Sequence, residues 1–357
     1  MKTVNIKNQD FAWGWPTAIS ADGSLHKHSW FLAPGQAKRL EFVDYKFPDN
    51  CGLRIFKDKD WQGTSFFDAA RIQNIFWVNG MAPRVRDVIN LSAPSKRYRF
   101  AHVVEYVSLY DESSTDFQLP IDKLEKVARD NFVTIYRGDH DEVCNNLSNW
   151  RNGLYLDFGG FSIDWDRYKE KLVREIIEVT HFGKSYKGGK ASYQSVPSWG
   201  LDGKRKTDYR IEKLGLNSFD FSGKSVLDIG CNLGIMLHYA SAKGASSLTG
   251  YDRPNVVKVA REMANLEDIF NIDFYGIDLT RESPKDKADV VLYLAVSDYF
   301  GFPKWLGEVT GETLFYEGHA GEKAEATSTQ LGKLFPHVSY IGNSEDRSIR
   351  PLFVCHK

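Results

Sequence analysis

The sequence predicts an α/β chain: a doubly wound, mostly parallel sheet in the C-terminal half, preceded by an α+β domain. Three observations predict it. Beyond residue 213, short apolar runs that stop at Gly or Asp alternate with stretches that are apolar at helical spacing. Before residue 183, short alternating runs and turns dominate and only two stretches read as long helices. Between them the composition shifts: residues 183–210 hold five Gly, seven Lys or Arg and two acids, the mark of a basic loop. The expected division is therefore 1–182, an α+β accessory domain; 183–212, a basic Gly-rich linker; and 213–357, the α/β domain.

In the C-terminal half, KSVLDIG (224–230) is a buried strand that stops at glycine. CNLGIMLHYASAKG (231–244) follows as a helix, with Leu233, Met236, Leu237 and Ala240 at helical spacing and Gly244 at its end. The next strand is 246–252, followed by a helix over 256–266 and a strand over 272–279. Strands at 288–296 and 312–319, a helix over 322–335 and a closing strand pair, VSYIGNS and IRPLFVCHK, complete the sheet. In the N-terminal half, CGLRIFKD (51–58), MAPRVRDVINL and RYRFAHVVEYV read as strands. Residues 65–80 read as a helix, LPIDKLEKVARDNFVTIY as a second long helix, and 152–163 as a hairpin.

Composition narrows the function. Of 357 residues, 46 are Lys or Arg and 47 are Asp or Glu, and the formal charge of −1 argues against a chain-wide grip on nucleic acid or membrane. Four cysteines, at 51, 144, 231 and 355, form no close pair and are expected to be reduced. The N-terminal stretch has no apolar core of a leader, and no window approaches eighteen apolar residues. A cytoplasmic protein without membrane insertion is expected.

The strand ends carry the chemistry. The first strand runs into Asp228-Ile-Gly230-Cys231-Asn232-Leu233-Gly234 and then a helix. Glycines there let a ligand approach the backbone, and the helix start offers free N–H groups. By itself such a turn is also an ordinary tight connection. It is neither a P-loop nor a full dinucleotide fingerprint. The second strand ends in Asp252, an acid suited to two ribose hydroxyls. The third ends in Asp278-Leu279, where an acid suits an adenine amino group.

These three acids at successive strand ends resemble the class I S-adenosylmethionine-dependent methyltransferases. VLDIGCNLG is similar to their first motif, with Asn232 in place of the second family glycine; GYD, GIDL and ADVVLYLAV are similar to the next three. The resemblance implies a Rossmann-like methyltransferase sheet and S-adenosyl-L-methionine as cofactor. It places Asp228 near the methionine ammonium and Gly230, Cys231, Asn232 and Gly234 along the amino-acid end. Asp252 would hold the ribose, Asp278 and Leu279 would frame the adenine, Arg253 would stack over it, and Leu294 would line the pocket. The lead-in, with Tyr193-Gln194, Trp199, Gly203, Arg205, Thr207 and Arg210, resembles that of methyltransferases of sugars and of tRNA wobble bases, where an arginine meets the cofactor carboxylate; Arg210 or Arg205 would do so here.

Methyl transfer to an alcohol needs alignment and a proton acceptor. Ser297, Asp298 and Tyr299 follow the fourth strand, and Glu317 and His319 the fifth. His319 is the natural base. Glu317, two residues earlier on a strand end, is expected on the same face, orienting His319 or binding a substrate hydroxyl. A polar strand end in solvent would look the same. No metal constellation is evident. His102, in an apolar run, reads as a packed core residue.

The N-terminal half resembles a small, degraded protein-kinase-like domain. Arg54 in GLRIF stands at the place of the phosphate-binding lysine, and Asp157-Phe158-Gly159 matches the metal-binding triplet. Asp139 lies eighteen positions before Asp157, and Asn145 follows it one place late. The resemblance implies a nucleotide site at Arg54, Asp139, Asn145 and Asp157; the other reading is an α+β module that shapes the acceptor site. The functions left open are O-methylation of a sugar, glycan or other small polar acceptor, a bifunctional kinase-like methyltransferase using ATP, or an RNA-modifying enzyme gripping phosphates through 184–210.

Overall fold

A computed structural model of the chain describes residues 2–6, 29–43, 45–56, 60–61, 64–92, 100–107, 120–135, 150–180, 192–345 and 348–357. The chain divides into two compact units, Met1–Lys169 and Glu170–Lys357.

The first unit is built on a six-stranded sheet. Its strands are β1 (Lys2–Ile6), β2 (Ser29–Leu32), β3 (Phe42–Val43), β4 (Cys51–Phe56), β5 (Val85–Ser92) and β6 (Phe100–Glu105), in the order β2-β4-β6-β5-β1-β3. All neighbours are antiparallel except β1 and β5. Helix α1 (Phe66–Val78) is capped by Ser65, whose hydroxyl accepts the Asp68 N–H, and buries Phe66, Ala69, Ile72, Ile75 and Phe76. Phe76 meets Phe158 at 5.1 Å between ring centres, and Phe158 meets Phe161 at 5.3 Å. His102 is fully buried; its Nε2 lies 2.6 Å from the Phe66 carbonyl, and burial pushes its pKa down to about 3. It is the neutral core residue that its apolar setting predicts.

Two sequence expectations change here. The long helix expected through Tyr136 stops early: α2 covers Ile121–Asp130, and Phe132 has a left-handed φ of 56°. Val133–Thr134 then pairs with Ser162–Ile163. The expected 152–163 hairpin is accordingly split, with Trp150–Arg151 paired to Leu154–Tyr155 and the later residues paired elsewhere.

In the second unit, β7 (Ser192–Gln194) and β8 (Gly203–Arg205) form a short parallel pair, followed by α3 (Thr207–Lys213). The described part of the stretch read as loop, Ser192 onward, thus holds regular structure. The main sheet contains β9 (Ser225–Ile229), β10 (Ser247–Asp252), β11 (Ile272–Gly276), β12 (Ala288–Leu294), β13 (Thr310–Glu317), β14 (His337–Ser344) and β15 (Arg350–His356). Their order is β11-β10-β9-β12-β13-β15-β14. The first five are parallel, and β15 is antiparallel to both its neighbours. This is a Rossmann-like doubly wound sheet.

Both faces of the sheet are buried, which is why the strands read as unbroken apolar runs. Val226, Val290, Leu292 and Phe315 point to one core; Leu227, Ile229, Val291, Tyr293, Leu314 and Tyr316 point to the other. The period of two is the strand's own. Helices α4 (Ile235–Ala242), α5 (Pro254–Leu266) and α6 (Ala324–Leu331) follow their strands as the sequence order predicts. Helix α4 starts at Ile235, four residues later than expected, because Gly230, Asn232 and Gly234 all take left-handed φ and hold residues 230–234 as a turn.

Candidate functional site

A cavity of about 650 Å³ opens at the carboxyl ends of the parallel strands, within the size range of small-ligand sites. Residues singled out from sequence line it: Tyr193, Gly230, Asn232, Asp252, Arg253, Asp278, Leu279, Leu294, Tyr299 and His319. Arg350 lines it as well.

The turn after β9 forms one wall. Gly230 has a φ of 71°, and a Cβ there would lie 2.6 Å from Val296, so no side chain fits. Asn232 has a φ of 51°, a conformation that asparagine tolerates best after glycine. That is the physical reason Asn serves where the related motif has glycine. Its N–H donates to Asp252 Oδ2 at 2.8 Å, while its side-chain Oδ1 is buried with no hydrogen-bond partner among the described residues. Asp252 also accepts from the Arg253 N–H at 2.7 Å. Burial raises the Asp252 pKa, partly offset by the Arg253 and Asn232 amides. Asp278 is held by Thr280: its Oδ1 accepts the Thr280 hydroxyl at 2.6 Å and the amide at 3.0 Å, and these bonds lower its pKa.

Three residues assigned to the amino-acid end sit behind that wall rather than on it. Asp228 is 3% exposed, and burial pushes its pKa up to about 7; Arg210 pulls it back and Asp252 adds to the rise. Cys231 is buried, and burial, then Asp252 and Asp228, raises its thiol pKa. Gly234 faces the Phe274 ring, which a Cβ would meet at 2.6 Å.

Glu317 and Arg210 require correction. Glu317 is completely buried; Oε2 accepts from Arg210 Nε at 2.9 Å and from its Nη2 at 2.5 Å, and Oε1 accepts from Arg205 Nη2. Burial pushes the Glu317 carboxyl up, but Arg210 and then Arg205 outweigh it and hold it below its ordinary value. Glu317 is therefore neither the orienter of His319 nor a ligand for a substrate hydroxyl. The expectation failed because β13 ends at Glu317: Gly318 and His319 lie past the strand, where alternation no longer applies. Arg210, 3% exposed and bound to Glu317 through two nitrogens, does not line the cavity and is not free to meet a cofactor carboxylate there.

His319 instead pairs with Asp298: its Nδ1 contacts Asp298 Oδ2, and the imidazole borders the cavity. Tyr299 lies edge-on to His319 at 6.4 Å. Ser297, also considered from sequence, donates to Glu322, which accepts from Tyr316 at 2.7 Å as well. Ala295, at the exit of β12, has a left-handed φ of 60° and donates its N–H to the Glu317 carbonyl at 2.7 Å. This is local strain at the cavity edge.

In the first unit, Arg54 Nη1 donates to the Leu156 carbonyl at 2.7 Å; burial lowers the Arg54 pKa, and the nearby Asp157 charge raises it. Asp157 Oδ1 accepts the Gly159 N–H at 3.2 Å. Asp139 and Asn145 lie outside the described residues.

No family model matches the chain, and no curated protein matches it. Among solved structures it is similar to WbdD, a bifunctional kinase-methyltransferase, at 20% identity over 46% of this chain and 43% of that one, with a TM-score of 0.39. It is similar to the magnesium protoporphyrin IX methyltransferase ChlM of Synechocystis PCC 6803 with bound SAM, at 18% identity over 42% of this chain and 77% of that one, TM-score 0.33. A third is the N-terminal domain of EvdMO1 in the presence of SAH and D-fucose, at 11% identity over 54% and 97%, TM-score 0.40. The match thus spans under half the length of WbdD.

Replacing Glu317 by Ala strands two buried guanidinium groups. The unfolding free energy of the second unit should fall by about 3–5 kcal/mol in urea titration, as when one member of a buried ion pair is removed. A loss under about 1 kcal/mol, the scale of a solvent-exposed pair, would contradict the buried arrangement.

Proposed function

We propose that the chain is an S-adenosylmethionine-dependent methyltransferase that acts on oxygen of a small polar acceptor, a sugar or glycan. The observation that carries this reading is a set of carboxylates after three adjacent strands: Asp252 and Asp278 line one cavity beside a left-handed turn, and Asp228 lies buried behind that turn.

The residues fit the cofactor. Asp252 spends one lone pair of each oxygen on a backbone N–H, leaving others for the two ribose hydroxyls. Asp278 Oδ2, which Arg281 Nε approaches at 3.4 Å, retains a lone pair for the adenine amino group, with Leu279 against the ring. Asn232 lines the cavity where the methionine ammonium would sit, and Asp228, buried behind the turn, favours that cation through its charge. The cofactor supplies an electrophilic methyl group on a sulfonium. His319 supplies the base. With Asp298 on Nδ1, the ring proton is held there and Nε2 is left to take the acceptor's hydroxyl proton. Asp298 then stabilises the imidazolium that forms.

The RNA reading is weaker because Arg205 and Arg210, two cations of the basic stretch, are spent on Glu317. For the first unit we favour a kinase-like scaffold over a working kinase. Arg54 is tied to the Leu156 carbonyl beside Asp157, which speaks against its holding phosphates as a lysine would.

Two outcomes follow. Because an ammonium binds the ionised form of a group that titrates near 7 in the free protein, protons compete with the ligand below that pH. S-adenosylhomocysteine affinity should therefore rise with pH up to about 7 and then level, and Asp228→Asn should weaken binding and flatten the profile. A flat profile in the unsubstituted protein would refute the role of Asp228. Separately, once tritiated-methyl transfer has identified an acceptor, His319→Ala should lower kcat by about 10²–10⁴ and leave S-adenosylhomocysteine affinity unchanged. An unaltered kcat would remove His319 as base.

A further inference from the structure

Among the described residues, Arg350 is a buried cation that forms no ion pair. It opens β15, is 9% exposed, and borders the cavity. Its Nε donates to Ser348 Oγ at 3.0 Å, and its Nη1 is buried with no hydrogen-bond partner among the described residues. Its charge is felt by Glu317, whose two oxygens are already taken by Arg205 and Arg210. Three guanidinium groups thus surround one carboxylate. A buried cation left in that state is costly unless an anion completes it. The planar fork of arginine matches a carboxylate or phosphate.

Its place on the sheet indicates where that anion sits. The Gly318 N–H donates to the Pro351 carbonyl at 2.9 Å, so Arg350 and His319 flank the same β13–β15 junction. Asp252 lies four strands away, at the other end of the cavity, with each step about 4.8 Å. The adenosine end and the Arg350 end are therefore opposite ends of one site.

We propose that Arg350 forms an anion subsite at the acceptor end of the cavity, and that the acceptor carries a carboxylate or phosphate close to the hydroxyl presented to His319. This rests on the methyltransferase reading above. It narrows the small polar acceptor of that reading to an acidic one. The other source of the same chemistry is the methionine carboxylate of the cofactor, and the experiment separates the two.

The test is calorimetric titration of the full chain with inorganic phosphate, alone and saturated with S-adenosylhomocysteine, for the unsubstituted protein, Arg350→Gln and Arg350→Lys. The expected result is phosphate binding that survives saturation, is lost in Arg350→Gln, and is weakened about tenfold in Arg350→Lys, which keeps a charge but not the fork. S-adenosylhomocysteine affinity stays the same in all three. The Lys variant carries the test if the Gln variant does not fold. Three results overturn the proposal: no phosphate binding, phosphate binding indifferent to both substitutions, or phosphate displaced by S-adenosylhomocysteine together with loss of its affinity in the variants, which would assign Arg350 to the cofactor. If the unsubstituted protein fails to bind S-adenosylhomocysteine yet binds phosphate through Arg350, it is the methyltransferase reading that falls, not the anion subsite.

Discussion

The buried contact of Glu317 with Arg205 and Arg210 is the constraint on which the rest of the site depends. Glu317 is the last residue of β13, and the two arginines belong to the segment that leads into the sheet. One carboxylate thereby fastens that segment to the carboxyl end of the sheet, across more than a hundred residues of sequence. Taking three charges out of water is expensive, and the hydrogen bonds that both carboxylate oxygens accept offset part of that cost. Glu317 is also where β13 stops, two residues before His319 borders the cavity.

Around that anchor, backbone geometry does much of the positioning. The left-handed turn at Gly230 and Asn232 aims an amide at Asp252 and brings Asn232 to the cavity wall. The strained Ala295 ties the exit of β12 to Glu317. Asp228 stands behind this wall, its pKa raised by burial. These backbone hydrogen bonds form without a ligand, and preorganisation of this kind reduces the ordering cost of binding.

The parallel sheet was legible because burial on both faces writes each strand as an apolar run that stops at its functional end. That made Asp228, Asp252 and Asp278 visible as a set. Residues whose role depends on a distant partner were not visible. Nothing in the basic stretch around Arg205 and Arg210 signals that Glu317 neutralises it, since the pairing is tertiary. The Glu-x-His spacing misled because alternation holds only within a strand, and β13 ends at its first member. Arg350 belongs to no motif; only its place at the β13–β15 junction gives it meaning. In the first unit the packing of His102 was plain from its apolar neighbours, whereas the end of α2 was obscured by an apolar sequence that continues into a strand.

The central claim is that the strand-end carboxylates hold an S-adenosyl nucleoside. Calorimetric titration of the full chain with S-adenosylhomocysteine, beside its Asp252→Ala variant, tests it most directly. The account predicts one site per chain and an affinity loss of about tenfold or more on removal of Asp252, the scale of lost hydrogen bonds to a charged group. No binding by the unsubstituted protein, or equal affinity in both, would contradict it.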